Sequence, residues 1–232
     1  MSHPAPQDQP DAPVDGDGQG HTDGGSDTNA DGGTGSAPDR GGLRERLVRT
    51  GVALVDAEGA QALTLREIAR RAGVSHGAPR RWFPTHLDLL SAIAREGFAE
   101  LAARVAEADR ADAGPRARAE ILARVYLAYA AERPGMYELM FRHDLLESGR
   151  LGLRETSLPL FARLTAVVAE LRPATVTGVD PVTAAGALWA NLHGLAQLRQ
   201  WGSLALATGS DDPAPLVRAT LDAHLGPADA TR

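Results

Sequence analysis

The run Gly73-Val74-Ser75-His76-Gly77-Ala78-Pro79-Arg80-Arg81 gathers two guanidinium groups, an imidazole and a hydroxyl into one short stretch. A guanidinium can donate a bidentate pair to guanine O6 and N7 or grip a phosphate, and Gly77 would let backbone approach a sugar-phosphate chain closely. The chemistry suited to this set is nucleic-acid contact. Covalent catalysis has less to work with. There is no cysteine, which excludes a disulfide framework, a thiolate-ligated zinc site and a thiol nucleophile. No His-Glu-x-x-His motif or phosphate-cradling glycine loop is present, and His143-Asp144 is only a neighbouring pair whose side chains leave a helix on different faces. An enzyme is therefore not expected, nor a cofactor or metal.

Those contact residues need a scaffold, and the flanking residues supply one. Thr64-Leu65-Arg66-Glu67 has the form of a capping box, in which a hydroxyl and a carboxylate satisfy amides at a helix start. Counting from Leu65, the residues Ile68, Ala69 and Ala72 fall on the inward face, with Ala69 small where a second helix must cross. Gly73 sits where a left-handed turn is needed, Val74 plugs the core beneath it, and Ser75 can cap a second short helix running to about Trp82. This spacing predicts a helix-turn-helix. With Val74, Pro79 and Trp82 or Phe83 inward, the outward residues Ser75, His76, Gly77, Arg80 and Arg81 are the candidate DNA contacts. Thr85-His86-Leu87-Asp88 repeats the capping logic at a helix start whose first amides can point at a phosphate. Arg44, Thr64, Thr85 and His86 complete the candidate set. An ordinary helical hairpin with a solvated basic face is the plainer reading of the same residues.

From Leu43 onward apolar residues recur at helical spacing, with no convincing alternating strand. Helices are expected at about 43–58, 65–72, 86–108, 115–132, 135–147, 151–171, 181–201 and 213–224. The fold class is thus all-α, with a small three-helix head at 41–106 and a helical bundle at 107–226. Residues 1–40 hold eight Gly, five Pro and eight Asp, too little apolar surface to offset chain entropy. This tail and residues 227–232 are expected to be disordered. The formal charge is −6, but the tail contributes −7, leaving +1 elsewhere. Within 64–86, five Arg face one Glu, so positive charge is concentrated at the proposed contact site. All basic side chains are Arg, as GC-rich coding or phosphate recognition would each produce. No secretory signal or run long enough to span a membrane is read, so a cytoplasmic protein is expected.

The stretch Leu63 to Ser75, followed by Gly77-Ala78-Pro79 and Phe83, resembles the N-terminal domain of the tetracycline-repressor (TetR-type) family. The resemblance covers about residues 43–100. It implies an all-α homodimer whose three-helix heads bind double-stranded DNA, and a divergent C-terminal domain that dimerises and binds a small-molecule effector, mostly to relieve repression. Two positions depart from that pattern: Arg80 stands where an aromatic is common, and Trp82 where His or Tyr is common. Base preference does not carry across such changes. Trp189, His193 and Gly194 resemble the Trp-x-x-x-His-Gly signature of one subgroup. Trp189 and His193, four apart on one helix face, and Met136, Tyr137, Met140 and Phe141 are the candidate effector contacts, with ordinary core packing as the alternative for each. A helical adaptor with a vestigial DNA-binding head is the competing function.

Overall fold

The computed structural model describes residues 40–228 except 111, 149 and 173–177. The tail at 1–39 and the last residues, 229–232, lie outside the described residues, and with them nearly all of both expected disordered ends. Among the described residues there is no strand, in keeping with the all-α expectation. Ten α-helices follow in order: α1 Arg40–Glu58, α2 Leu65–Arg71, α3 His86–Ala108, α4 Pro115–Glu132, α5 Pro134–Met140, α6 His143–Ser148, α7 Leu153–Leu171, α8 Pro181–Gln200, α9 Ser203–Thr208 and α10 Ala214–Leu225. Among these helices none is long and apolar enough to cross a membrane.

Local chemistry explains most boundaries. Asp180 caps α8, its carboxylate accepting from the Val182 and Thr183 amides at 3.0 Å each, with Pro181 in the first turn where no amide is missed. Thr85 and Asp88 form a reciprocal capping box on α3. Three boundaries differ from expectation. The predicted helix at 135–147 is two helices, broken at Phe141-Arg142. The start of α7 is delayed to Leu153 because Leu151 and Gly152 both adopt left-handed backbone, at φ 53° and 67°. The short α9 falls in a stretch read as a breaker region, bracketed by left-handed Gly202 and Gly209.

One helix organises the core. The first half of α3 buries Leu89, Leu90 and Ile93 with Leu47, Leu54 and Val55 of α1 and Ile68 of α2. Its second half presents Phe98, Leu101 and Val105 toward α4 and α7. Fully burying each such side chain contributes about 1.5–3 kcal/mol. The helix α5 lies across both parts, against α1 and α3. It gets close because Gly135 faces α1: a Cβ there would stand 2.5 Å from the Val55 carbonyl oxygen and 3.0 Å from Gly59 Cα. Arg116 of α4 is buried, yet its guanidinium donates to the Leu221 and Gly226 carbonyls and to the Asp222 carboxylate, which fastens α10 to the bundle.

Candidate functional site

The helix-turn-helix is built as its spacing demands up to Ser75 and then departs. At the end of α2, Gly73 adopts φ 68°, the Val74 amide donates to the Ala69 carbonyl at 3.0 Å and the Gly73 amide to that of Arg70 at 3.2 Å. This is the paired pattern of a glycine-terminated helix. Ala69, Pro79 and Phe83 are buried, and Trp82 packs against the core from a half-buried position. The second element is not an α-helix. Residues 76–78 form a turn and only Pro79–Arg81 coil as a 3-10 helix, with the Ala78 amide donating to Ser75 and the Trp82 amide to Pro79. Proline has no amide to give the Ser75 carbonyl and Gly77 favours no helix, so the three-residue pattern replaces the four. The expected Ser75 cap is absent here, for the N-cap residue is Ala78 and no side chain caps it.

Gly73-Val74-Ser75-His76-Gly77 also has the Gly-x-Ser-x-Gly spacing of a hydrolase nucleophile elbow, which requires a strand leading into the turn. Here helix α2 leads into it, and Ser75 stands exposed on the surface. That geometry is not a nucleophile elbow.

Ser75, His76, Gly77, Arg80 and Arg81 are all exposed and share this one turn. The other four candidates are committed elsewhere. Thr64 Oγ1 accepts from the Glu67 amide at 3.1 Å, and Thr85 Oγ1 from the Asp88 amide at 3.2 Å. His86 Nε2 lies 2.7 Å from the Leu63 carbonyl, which can only accept, so that nitrogen carries a proton. Arg44 lays its guanidinium over the Phe83 ring at 5.5 Å. These residues hold the head together. The Thr64 box is also only half made: the Glu67 carboxylate turns away to Arg70, at 2.5 and 2.9 Å, and to Arg71, at 2.6 Å. Hydrogen bonds from Arg70 and then Arg71 pull its pKa down to about 2. Arg71 further pairs with Glu58. Arg70 and Arg71 of α2 are thus clamped, while Arg80 and Arg81 stand on the exposed turn.

A cavity of about 480 Å³ opens between α3, α4, α7 and α8. Five of the chain's ten aromatic residues line it: Phe98, Tyr126, Phe141, Phe161 and Trp189. Leu101, Leu122, Leu160 and Leu164 fill much of the remaining wall, and Leu158, exposed, stands at the side of α7. Of the six residues read as effector contacts, Phe141 and Trp189 line this space. Tyr137 and His193 stand behind it. Met136 and Met140 belong instead to the closed core, packed over Gly97 of α3, where a Cβ would meet their side chains at 2.7–2.8 Å.

A polar cluster closes one end of the cavity. The Tyr126 and Tyr137 hydroxyls are 2.9 Å apart and lie 2.8 and 2.7 Å from His193 Nδ1. Trp189 Nε1 donates to Tyr126 Oη at 3.3 Å. A neutral imidazole with Nδ1 as acceptor gives every hydroxyl proton a place, in the order Trp189 to Tyr126 to Tyr137 to His193. Burial favours that state: it lowers the His193 pKa, raises that of Tyr126, and pushes Tyr137 up to about 12. The His193 ring stacks on Tyr137 at 5.3 Å and meets the edge of Phe141 at 4.9 Å. Tyr126 is the member that sequence spacing did not disclose. Its one signal was rarity, as one of only three tyrosines.

Residues 119–224 match the family model described as the tetracyclin repressor-like C-terminal domain. Over most of its length the chain also resembles solved structures. A protein of unknown function from Rhodococcus sp. RHA1 is 25% identical with a TM-score of 0.65, the match covering 84% of this chain and 100% of the other. A TetR family transcription regulator from Shewanella sp. PV-4 shares the fold at 14% identity and a TM-score of 0.58, over 79% and 96% of the two chains. The multidrug binding protein EbrR, complexed with imidazole, is 28% identical with a TM-score of 0.51, over 84% and 99%. No curated protein matches the chain.

Proposed function

We propose that this chain is a TetR-type transcriptional regulator, a cytoplasmic homodimeric repressor that binds a near-palindromic operator and leaves it when a small molecule occupies the C-terminal domain, a reading supported by the family match of its C-terminal half. Residues 41–106 form the DNA-binding head and 107–226 the effector-binding and dimerisation domain. Ser75, His76, Gly77, Arg80 and Arg81 meet the DNA, while Arg44, Thr64, Thr85 and His86 brace them. Two heads about 34 Å apart place these turns in successive major grooves.

The observation that carries the reading is the pairing of an exposed Arg80-Arg81 turn with an aromatic cavity joined to it through α3. EbrR, of related fold, is named for binding drugs, which supports a small-molecule role for the cavity here. Effector binding need favour the DNA-incompetent arrangement by only a few kcal/mol to empty the operator. Selection of duplexes from a random pool by the full chain, followed by anisotropy titration at several salt concentrations, tests the proposal. Failure to bind any duplex at low salt would instead favour an adaptor with a vestigial head.

A further inference from the structure

We infer that the cavity accepts an uncharged, largely aromatic molecule whose polarity is confined to one hydroxyl or carbonyl group seated at the Trp189 and Tyr126 end. This rests on the reading of the cavity as the effector site and names the chemistry of its occupant.

The wall decides the charge. Among its described residues none is Arg, Lys, Asp, Glu or His, and polarity is limited to Tyr126, Ser157 and the Trp189 indole N–H. An ion there would give up hydration with no opposite charge in the wall to replace it, an anion most of all, since ring faces repel it. Four charged groups around the cavity helices are engaged with each other: Asp109 accepts from Arg163 at 2.6 Å and from Arg118 at 3.3 Å, and Arg118 also reaches Glu170. Tyr126 remains protonated, because burial raises its pKa. The volume lies in the range of pockets that enclose drug-sized ligands.

The position of the polar end follows from bond lengths. In the chain from Trp189 to His193, the indole contact at 3.3 Å is the longest, and Trp189 is 37% exposed. A ligand oxygen that accepts the indole proton displaces the weakest link and leaves the shorter Tyr126, Tyr137 and His193 contacts in place. On the same helix, one turn before Trp189, Gly186 of α8 lines the cavity and a Cβ built on it meets nothing within 4 Å. A side chain there would enter the space the ligand needs.

The rival occupant is an organic cation held by the ring faces. Three probes of equal shape separate the two by calorimetric titration of the full chain: 4-hydroxybiphenyl, biphenyl-4-carboxylate and biphenyl-4-yl-trimethylammonium. The neutral phenol should bind, with both ions at least about thirtyfold weaker. Gly186→Leu, or Ala190→Leu as a second filling variant, should abolish phenol binding while thermal unfolding and duplex affinity stay as in the parent. Ammonium binding as tight as the phenol's overturns the inference in favour of an aromatic cation cage. Equal carboxylate binding, binding of none of the three, or phenol binding untouched by both filling variants overturns it as well. Release of DNA is read separately: a phenol that binds selectively yet leaves duplex affinity unchanged sustains the ligand class and counts against the effector role.

Discussion

Arg133, between α4 and α5, holds Asp56 of α1 through two parallel hydrogen bonds of 2.8 Å, Nε to Oδ1 and Nη2 to Oδ2. Its remaining nitrogen reaches Glu100 of α3 at 2.5 Å. One side chain thereby ties the DNA-binding head to α5, the helix that carries Tyr137.

Arg133→Met should therefore weaken transmission more than binding. The bidentate pair is partly exposed, so its loss should cost about 1–2 kcal/mol, read from the urea midpoint. Effector affinity should stay near that of the parent, while the shift in operator affinity on adding effector should shrink. An undiminished shift would show that α3 alone carries the coupling.

Gly135→Ala should destabilise the protein by roughly 1–3 kcal/mol, since the new methyl group meets backbone of α1 that has no room to retreat. Gly97→Ala should cost less, because the atoms it meets belong to Met136 and Met140, whose flexible side chains repack. Thermal melts of the two variants give the order directly, and a reversed order would contradict this account of α5.

On the DNA side, Arg80→Ala should weaken binding and flatten the dependence of log K on log salt by about one unit if the guanidinium meets a phosphate. Arg70→Ala should change the slope less, because Arg70 is already held by Glu67. Relaxed sequence preference with an unchanged slope would make Arg80 a base contact.

Stability should fall in mild acid. Burial lowers the His193 pKa, so below an unfolded value of roughly 6.5 the unfolded chain takes up a proton that the native cluster refuses. The loss begins as pH drops through about 6.5 and ends below the native pKa; above neutrality this group has no effect. His224, lowered by burial and then by Arg172, adds to it with the same sign. Urea midpoints between pH 7.5 and 5 should therefore slope less in His193→Gln and least in the double variant with His224→Gln.

Elements whose cause lies within a few residues were legible from sequence. The Thr85 capping box, the left-handed Gly73 and the inward Ala69 all follow from contacts three to five residues apart. The second helix of the head misled for a local reason too: its helical-looking composition contains Pro79, and one missing amide is enough to tighten the coil. The candidate site was harder because it is assembled across the chain. Tyr126 meets His193 from 67 residues away, and no spacing rule reaches that far. Met136 and Met140 share a helix with Tyr137, yet Gly97 of another helix decides that they face the closed core.

The helix α3 is 23 residues long, or about 34 Å, and it is a single uninterrupted rod with Leu89 and Ile93 in the head and Phe98 and Val105 at the cavity. Such a rod converts angle into distance. A tilt of about 5° at the cavity end carries the far end by roughly 3 Å, comparable to the length of one hydrogen bond. On the proposed reading, a guest molecule that shifts Phe98 by a fraction of a ring width moves the head by that distance, with no hinge and no local unfolding along the way.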